Sequence, residues 1–341
     1  MTRGMLRTGL TLITALWLAA CGSGPGPGEG TTLRMPTGAG GVGFLPLRVM
    51  QAQGLIEAHA DEAGVPGLTV DWVEIGGPAM LNDALLSRSI DFIAAGPPAF
   101  ITLWDRTRDS VQVMGAAAVS ALPMFLNTSA EHLQSVDDLR DTDRVAVTAI
   151  RVSIPSLVLQ MYARDNYGPD DVNRFDRYTV AMTHPDAVVA LLSGSNAINA
   201  HFTSPPFHQM EQRDPAIRTI MNSYDVMGGT TTFVMLSTTT AFREDNPGVY
   251  NAVLAALREA QDFIEADPAA AARILVEAEG EGAFTVDDIA EVLRDPEVVF
   301  TATPQNTMMY ATFMHDIGSI ENRPASWRDL FFPDLQGVPG S

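Results

Sequence analysis

The chain of 341 residues has no lysine, and cysteine occurs once, at Cys21. Without lysine, a P-loop lysine, a Schiff-base lysine and a Ser–Lys dyad are excluded. A single cysteine excludes a disulfide within the chain and any cysteine-ligated metal cluster. Positive charge is scarce: 21 arginines stand against 41 acidic residues, for a net charge of −20. A chain this acidic repels a phosphate backbone, and no basic stripe offsets that, so no nucleic-acid partner is expected. Aromatic residues make up only 7% of the chain, yet hydrophobic residues reach 46%. That content supports packed cores in about two domains, at ~100–200 residues each. It excludes a collagen, a disordered acidic tail and a polytopic membrane protein.

The start of the chain reads as a leader. Arg3 and Arg7 precede "GLTLITALWLAA", apolar from Leu10 to Ala20 and shorter than the ~20 residues that span a bilayer. A short basic region, an apolar run and small residues predict a secretory signal over 1–20. Leu18-Ala19-Ala20-Cys21-Gly22 resembles a bacterial lipobox, whose cysteine is lipidated and becomes the acylated N-terminus after cleavage. The competing reading is an ordinary Ala-x-Ala signal beside a stray cysteine. A lone exposed thiol in an exported protein is oxidisable, and acylation removes it. Residues 21–31, rich in Gly and Pro, are expected to be a flexible tether. The expected location is the cell envelope or periplasm, anchored to the membrane through Cys21.

The rest alternates strands and helices. "TLRMPT", "LTVDWVEI", "DFIAAG" and "VQVMGAAAV" predict strands; Gly-rich "GAGGVG", "GGPAMLNDALLSRS" and "PPAFITLWDR" lead into or form the helices between them. Prolines at helix starts and period-2 alternation in the strands support this division. The order βαβαβαβ predicts a mostly parallel sheet flanked by helices. The pattern restarts with "RVAVTAI", a helix with Ser153 as N-cap candidate and Gly168 as terminator, then "YTVAM", "HPDAVVALLSGS", "AINAHF" and a helix opened by Ser204-Pro205-Pro206. "IRTIMNSYDVM" and "TTFVMLSTTT" predict two more strands, and the segment from Asn246 onward predicts helices. "ALLSRSIDFIAAGPPAF" in the first unit matches "ALLSGSNAINAHFTSPPF" in the second. Two equivalent α/β units would turn strand ends and helix N-termini toward a common cleft, where open α/β sheets bind ligands.

The lipobox, "GLIEAHADEAGVPGLTVDWVEIGG" and the two Ala-Leu-Leu-Ser segments together resemble an ABC-transporter periplasmic substrate-binding protein. The branch is the nitrate/sulfonate/taurine type, which includes binders of thiamine-pyrimidine precursors, here in lipoprotein form. The resemblance runs from about Leu33 to Pro333. It implies a two-lobed, type II-like fold with the ligand cleft between lobes. Lobe 1 would be 32–122 plus 230–341, lobe 2 residues 123–229, hinged near Leu122–Leu126 and Gly228–Thr232. It also implies a monomer that captures a small solute and delivers it to ABC permease transmembrane subunits with a cytoplasmic ATPase. No cofactor and no catalysis are implied. The favoured solute is a sulfonate-, taurine- or nitrate-like anion; an aromatic or heterocyclic solute such as a pyrimidine precursor is the alternative.

The cleft-facing loops supply the ligand-binding candidates: Gly43, Phe44, Gly77, Gly96, Pro97, Arg151, Ser153, His201 and Thr203. Helix N-termini offer free N–H groups and partial positive charge to an anion, hydroxyls add donors, and Arg151 adds a cation. The plainer readings are that Ser153 and Ser204 only cap helices, and that Arg151 is a solvated charge. Phe44, Phe100, Trp104, Phe202 and Phe207 lie in or near these loops, as stacking platforms or as core. Gly38, Gly40 and Gly43 show a Gly-x-Gly-x-x-Gly spacing, but an exported protein has no dinucleotide supply. His208 and Glu211 are spaced as a helical pair without a third ligand, and His-Glu-x-x-His is absent, so no metal site is expected. His184 reads as a residue opening a helix. Trp327, Phe331 and Phe332 are expected to strap lobe 1.

A pyrimidine-synthesising relative needs a cysteine-rich iron motif, which a chain with one cysteine lacks. A serine hydrolase needs a Gly-x-Ser-x-Gly elbow on a strand–helix turn, and neither "GSGPG" nor "LLSGSNA" fits one. A two-lobed sensor or interaction protein would keep the fold without transport.

Overall fold

The computed structural model describes residues 31–75, 77–280 and 284–341. The leader, Cys21 and all but the last residue of the tether lie outside the described residues. Among the described residues ten strands follow in order: β1 (Thr32–Pro36), β2 (Thr69–Val73), β3 (Ile93–Ala95), β4 (Val113–Ala121), β5 (Phe125–Thr128), β6 (Val145–Val147), β7 (Thr179–Ala181), β8 (Ala200–Thr203), β9 (Arg218–Asn222) and β10 (Thr232–Thr239). In the first half β1 and β2 pair in parallel, and β10 lies antiparallel between β3 and β4. The Asp91 N–H donates to the Arg34 carbonyl at 2.9 Å, and the Arg34 guanidinium pairs with Asp91 at 3.0 Å, tying β1 to the lead-in of β3. The second half is one sheet in the order β7-β6-β8-β5-β9, with β5 antiparallel to both its neighbours.

The two halves therefore repeat one plan: a parallel set interrupted by one antiparallel strand. That strand is lent by the other half. β5 follows the first half in sequence but sits between β8 and β9; β10 follows the second half but sits between β3 and β4. The chain crosses between halves at 122–124 and again across the short helix Ser223–Met227. This is a two-lobed periplasmic binding protein fold, and each lobe holds one inserted antiparallel strand. The second lobe is built on one five-stranded sheet, whereas the expected single sheet of the first lobe is divided into β1-β2 and β3-β10-β4.

Three local readings change. β5 is absent from the predicted strands, "IRTIMNSYDVM" is half strand and half helix, and the helix after Ser204-Pro205-Pro206 spans only Phe207–Glu211. The Pro205–Pro206 bond is cis. The C-terminal helices pack on the first half, where Pro247–Ala266 lies against Leu55–Glu62 and Leu45–Gln53. The chain end straps β4: the Phe332 N–H donates to the Gly115 carbonyl at 3.0 Å, and Trp104 Nε1 donates to the Asp329 carbonyl at 3.1 Å. Gly115 admits the strap because a Cβ there would stand 2.5 Å from the Phe331 ring.

Candidate functional site

A cavity of about 290 Å³ lies between the halves. Four helices point their first residues at it: Pro78–Leu86 and Pro97–Thr107 from one side, Ile154–Tyr167 and His184–Leu192 from the other. Their N-caps, Gly77, Gly96, Ser153 and Thr183, all line the wall. Pro78–Leu86 and His184–Leu192 follow the equivalent strands β2 and β7, whereas Pro97–Thr107 follows β3 and Ile154–Tyr167 follows β6, which are not counterparts. All four carry proline in the first turn. Proline has no N–H, so each terminus keeps its dipole but loses donors that would grip a bare oxyanion.

The remainder of the wall is largely apolar. Phe44 and Phe233 meet edge to face with centroids 6.2 Å apart, and Met124, Ile75 and Leu81 join them. The polar side chains are Arg48, Glu74, Glu279, Thr148, Ser153, Thr183 and His184. Among the described residues Arg48 is the only arginine on the wall; its Nη1 donates to Gln51 at 3.4 Å and its Nε is buried without a partner. Glu279 accepts a bond from the Gly41 N–H at 3.2 Å, closing the Gly-rich loop over one end.

Of the expected ligand residues, Phe44, Gly77, Gly96 and Ser153 come together on the wall. The Ser153 hydroxyl does not cap its helix; it donates to the Ala149 carbonyl at 2.5 Å. Gly43 lies behind Phe44, where a Cβ would overlap the Phe233 ring at 2.3 Å. Pro97 is buried in the first turn of its helix, off the wall. Arg151 turns away: its φ of 65° places it in the left-handed region, and its Nε bonds Asp176 at 2.7 Å with the side chain 62% exposed. Thr203 is fully buried within β8. His201 sits one layer behind the wall, bonded to His184, which does line it.

Behind His184 runs a buried polar chain. His184 Nδ1 lies 2.9 Å from His201 Nε2, and His201 Nδ1 lies 2.5 Å from Glu211 Oε1. Asn127 Nδ2 donates to Glu211 Oε2 at 2.8 Å, while Asn127 Oδ1 accepts from Thr219 and from His208 Nδ1. Burial favours neutral forms here. It pushes Glu211 up to about 8, His201 down to about 3 and His208 down to about 4, and lowers His184 well below the ordinary histidine value.

Sequence reasoning missed Arg48, Phe233, Glu279 and the wall position of His184. The matching Ala-Leu-Leu-Ser helices carried a signal for His184, because Pro78 and His184 open equivalent helices. Glu279 ends the helix Pro268–Glu279, far along the chain, and nothing in its neighbourhood marks it.

No family model matches the chain, and no curated protein matches it in sequence. Solved structures do match. The alkanesulfonate-binding protein SsuA from Xanthomonas axonopodis pv. citri, bound to MOPS, is 17% identical with a TM-score of 0.68, over 88% of this chain and 98% of its own. The periplasmic aliphatic sulphonate binding protein SsuA from Escherichia coli is 16% identical with a TM-score of 0.63, over 89% and 98%. The periplasmic nitrate-binding protein NrtA from Synechocystis PCC 6803 is 16% identical with a TM-score of 0.65, over 88% and 84%. These likenesses agree with the strand exchange in defining a periplasmic binding protein fold.

Proposed function

We propose that this protein is the extracytoplasmic solute-binding component of an ABC importer, of the nitrate/sulfonate/taurine type. The observation that carries the reading is the convergence of four helix N-termini and two phenylalanines on one cavity between lobes joined by two crossings. Such lobes close on a solute by hinge motion at the crossings. The proposed partners are a permease with its ATPase and, through a lipid on Cys21, a membrane; the receptor acts as a monomer without catalysis. Replacing Cys21 with serine is expected to abolish lipid labelling, and unchanged labelling overturns the anchor.

The proposed solute is an organic anion, a sulfonate or carboxylate on an alkyl or aryl frame. Its charged end must find Arg48 and the helix N-termini on a wall that also carries Glu74 and Glu279. Arg48 and the helix dipoles attract the charged end, while Phe44 and Phe233 cover an apolar body. A cavity of about 290 Å³ with mostly apolar walls suits such a body better than bare nitrate. The same phenylalanine pair supports the second reading, a flat heterocycle such as a pyrimidine.

The test is a thermal-shift panel of nitrate, taurine, alkyl and aryl sulfonates, aromatic carboxylates and pyrimidines on protein refolded to strip bound solute. Ligand at 100 times its dissociation constant adds ~2.7 kcal/mol, a shift of a few degrees. A saturable shift with one compound class supports the receptor and names its chemistry; no shift across the panel overturns the solute class.

A further inference from the structure

The chain His184–His201–Glu211 links the cavity wall to a carboxyl group buried about two side chains behind it. His184 is 7% exposed and lines the cavity; His201 and Glu211 are 1% and 0% exposed. His184 Nδ1 is taken by His201, and its Nε2 has no partner among the described residues. The second oxygen of Glu211 is fixed as an acceptor by Asn127 Nδ2. Asn127 is itself oriented by Thr219, whose hydroxyl donates to Oδ1 at 2.7 Å. The proton-bearing oxygen of Glu211 is therefore the one facing His201.

Hydrogen-bond direction now propagates. When Glu211 is a carboxylate, it accepts from His201 Nδ1–H. The His201 Nε2 is then a lone pair that accepts from His184 Nδ1–H, and His184 shows the cavity a bare Nε2. When the Glu211–His201 pair holds one more proton, His201 Nε2–H donates to His184 Nδ1, and His184 shows the cavity an Nε2–H. The result is the same whether the added proton rests on Glu211 or on His201. Neutral imidazole permits one donor and one acceptor per ring, so no intermediate arrangement satisfies both bonds.

We propose that Glu211, acting through His201 as a positioning residue, sets whether His184 offers the solute a proton or a lone pair, so that an anionic solute binds together with one proton. The ligand half of this proposal rests on the solute-binding reading above; the relay does not. The groups around it are accounted for. On the same helix as Glu211, His208 stacks on Phe125 at 3.9 Å and donates to Asn127. Arg213 pairs with Asp288, and the β9 Arg218 donates to the Ala130 and Leu133 carbonyls. On the helix of His184, Asp186 is bonded to Thr183. Across the cavity stand Arg48, Glu74 and Glu279. Among the described residues no cation is paired with the Glu211 carboxyl except through His201, which agrees with its upward displacement by burial.

The deciding measurement is the ring-nitrogen NMR of protein labelled with ¹⁵N-histidine, followed from about pH 6 to about pH 10 without solute. The expected result is a His184 Nε2 that is protonated at the acid end and unprotonated at the alkaline end. In Glu211→Gln, the amide NH₂ donates to His201 Nδ1 and its oxygen accepts from Asn127, so His184 Nε2 should stay protonated throughout. A wild-type His184 that never changes tautomer overturns the relay, whether or not the variant folds. The same change persisting in Glu211→Gln also overturns it. Hexanesulfonate is the binding probe, titrated in two buffers of different ionisation enthalpy. Wild-type affinity should fall about tenfold per pH unit above the Glu211 transition, with uptake approaching one proton, and Glu211→Gln should bind without that fall. If the tautomer changes while hexanesulfonate binds with no proton uptake, the coupling is overturned. If hexanesulfonate does not bind at all, the solute class fails while the relay stands on its spectrum.

Discussion

Phe44 of the first lobe and Phe233 of the inserted strand β10 meet edge to face, centroids 6.2 Å apart at 70°, on the cavity wall. An edge contact leaves ring faces for a solute, and aromatic pairs contribute ~0.5–1.5 kcal/mol beyond area burial. Phe44→Leu keeps apolar volume and removes the face. It should weaken an aryl sulfonate by about 2- to 12-fold while leaving an alkyl sulfonate of similar size nearly unchanged. Equal losses for both, measured by calorimetry, would show that Phe44 contributes only bulk.

Arg48 and Arg151 separate the two ways of holding an anion. Arg48 is on the wall with only its Nη1 engaged, donating to Gln51 at 3.4 Å, whereas Arg151 is turned outward to Asp176. Hydrogen bonds to charged groups contribute about 1.5–3 kcal/mol, so Arg48→Gln should lower affinity for a sulfonate roughly 10- to 150-fold. Arg151→Gln should leave it within twofold, because nothing of its guanidinium reaches the cavity. A loss in Arg151→Gln matching that of Arg48→Gln would refute this assignment.

Why Arg151 was expected in the cleft shows where the sequence runs out. Strands and helices were legible because Pro and Gly punctuate them and because apolar periods differ between the two. The cleft loops followed from element order, and Phe44, Gly77, Gly96 and Ser153 followed from the loops. Direction did not. A φ of 65° at Arg151 swings its side chain out, and no local pattern in "TAIRVSIP" announces a left-handed arginine. β5 was invisible for a different reason: four residues carry too little period, and its pairing partners lie about 70 to 100 residues away. Glu279 reaches the wall only because the C-terminal helices pack on the first lobe, a purely tertiary fact.

The buried histidines and Glu211 give stability a pH dependence whose two limbs have opposite sign. The ordinary histidine value is 6.5, and burial lowers His201 to about 3 and His208 to about 4, with His184 lowered as well. Below pH 6.5 the unfolded chain gains protons that the folded chain refuses, so stability is lost as pH falls from there. Glu211 behaves oppositely: its folded value of about 8 exceeds the ordinary 4.5, so the folded chain keeps a proton that the unfolded chain releases. Its contribution falls as pH rises from 4.5 to about 8. Between 4.5 and 6.5 the three histidines outweigh the one carboxyl; above 6.5 only the carboxyl remains. Urea unfolding should find maximum stability near pH 6.5, with a decline toward pH 8 of up to ~1.4 kcal/mol per pH unit. Glu211→Gln should flatten the alkaline limb and leave the acid limb in place; an alkaline limb unchanged by the variant would place its cause elsewhere.

Gly96 is required by the neighbouring lobe rather than by its own backbone. Its φ of −65° and ψ of 155° are extended values that any residue adopts, so no conformational strain attends replacement. Space is the constraint: a Cβ would stand 3.1 Å from Ile154 Cδ1, on the opposing lobe, and 3.4 Å from the Phe233 carbonyl. The contact across the cleft is with Ile154, whose side-chain tip yields to one added carbon but not to a branched group; the Phe233 carbonyl lies within the same lobe, on β10, at ordinary van der Waals distance. Gly96→Ala should therefore bind solute within a few-fold of wild type. Gly96→Val should hold the lobes apart, and solute affinity should fall by at least tenfold. Unfolding of the stripped protein should change little, since the clash is relieved by opening and not by unfolding. Calorimetry and thermal unfolding of the two variants check this together. A valine variant that binds as tightly as wild type would mean that this contact does not limit closure, whereas one that also unfolds early would place the clash within a lobe.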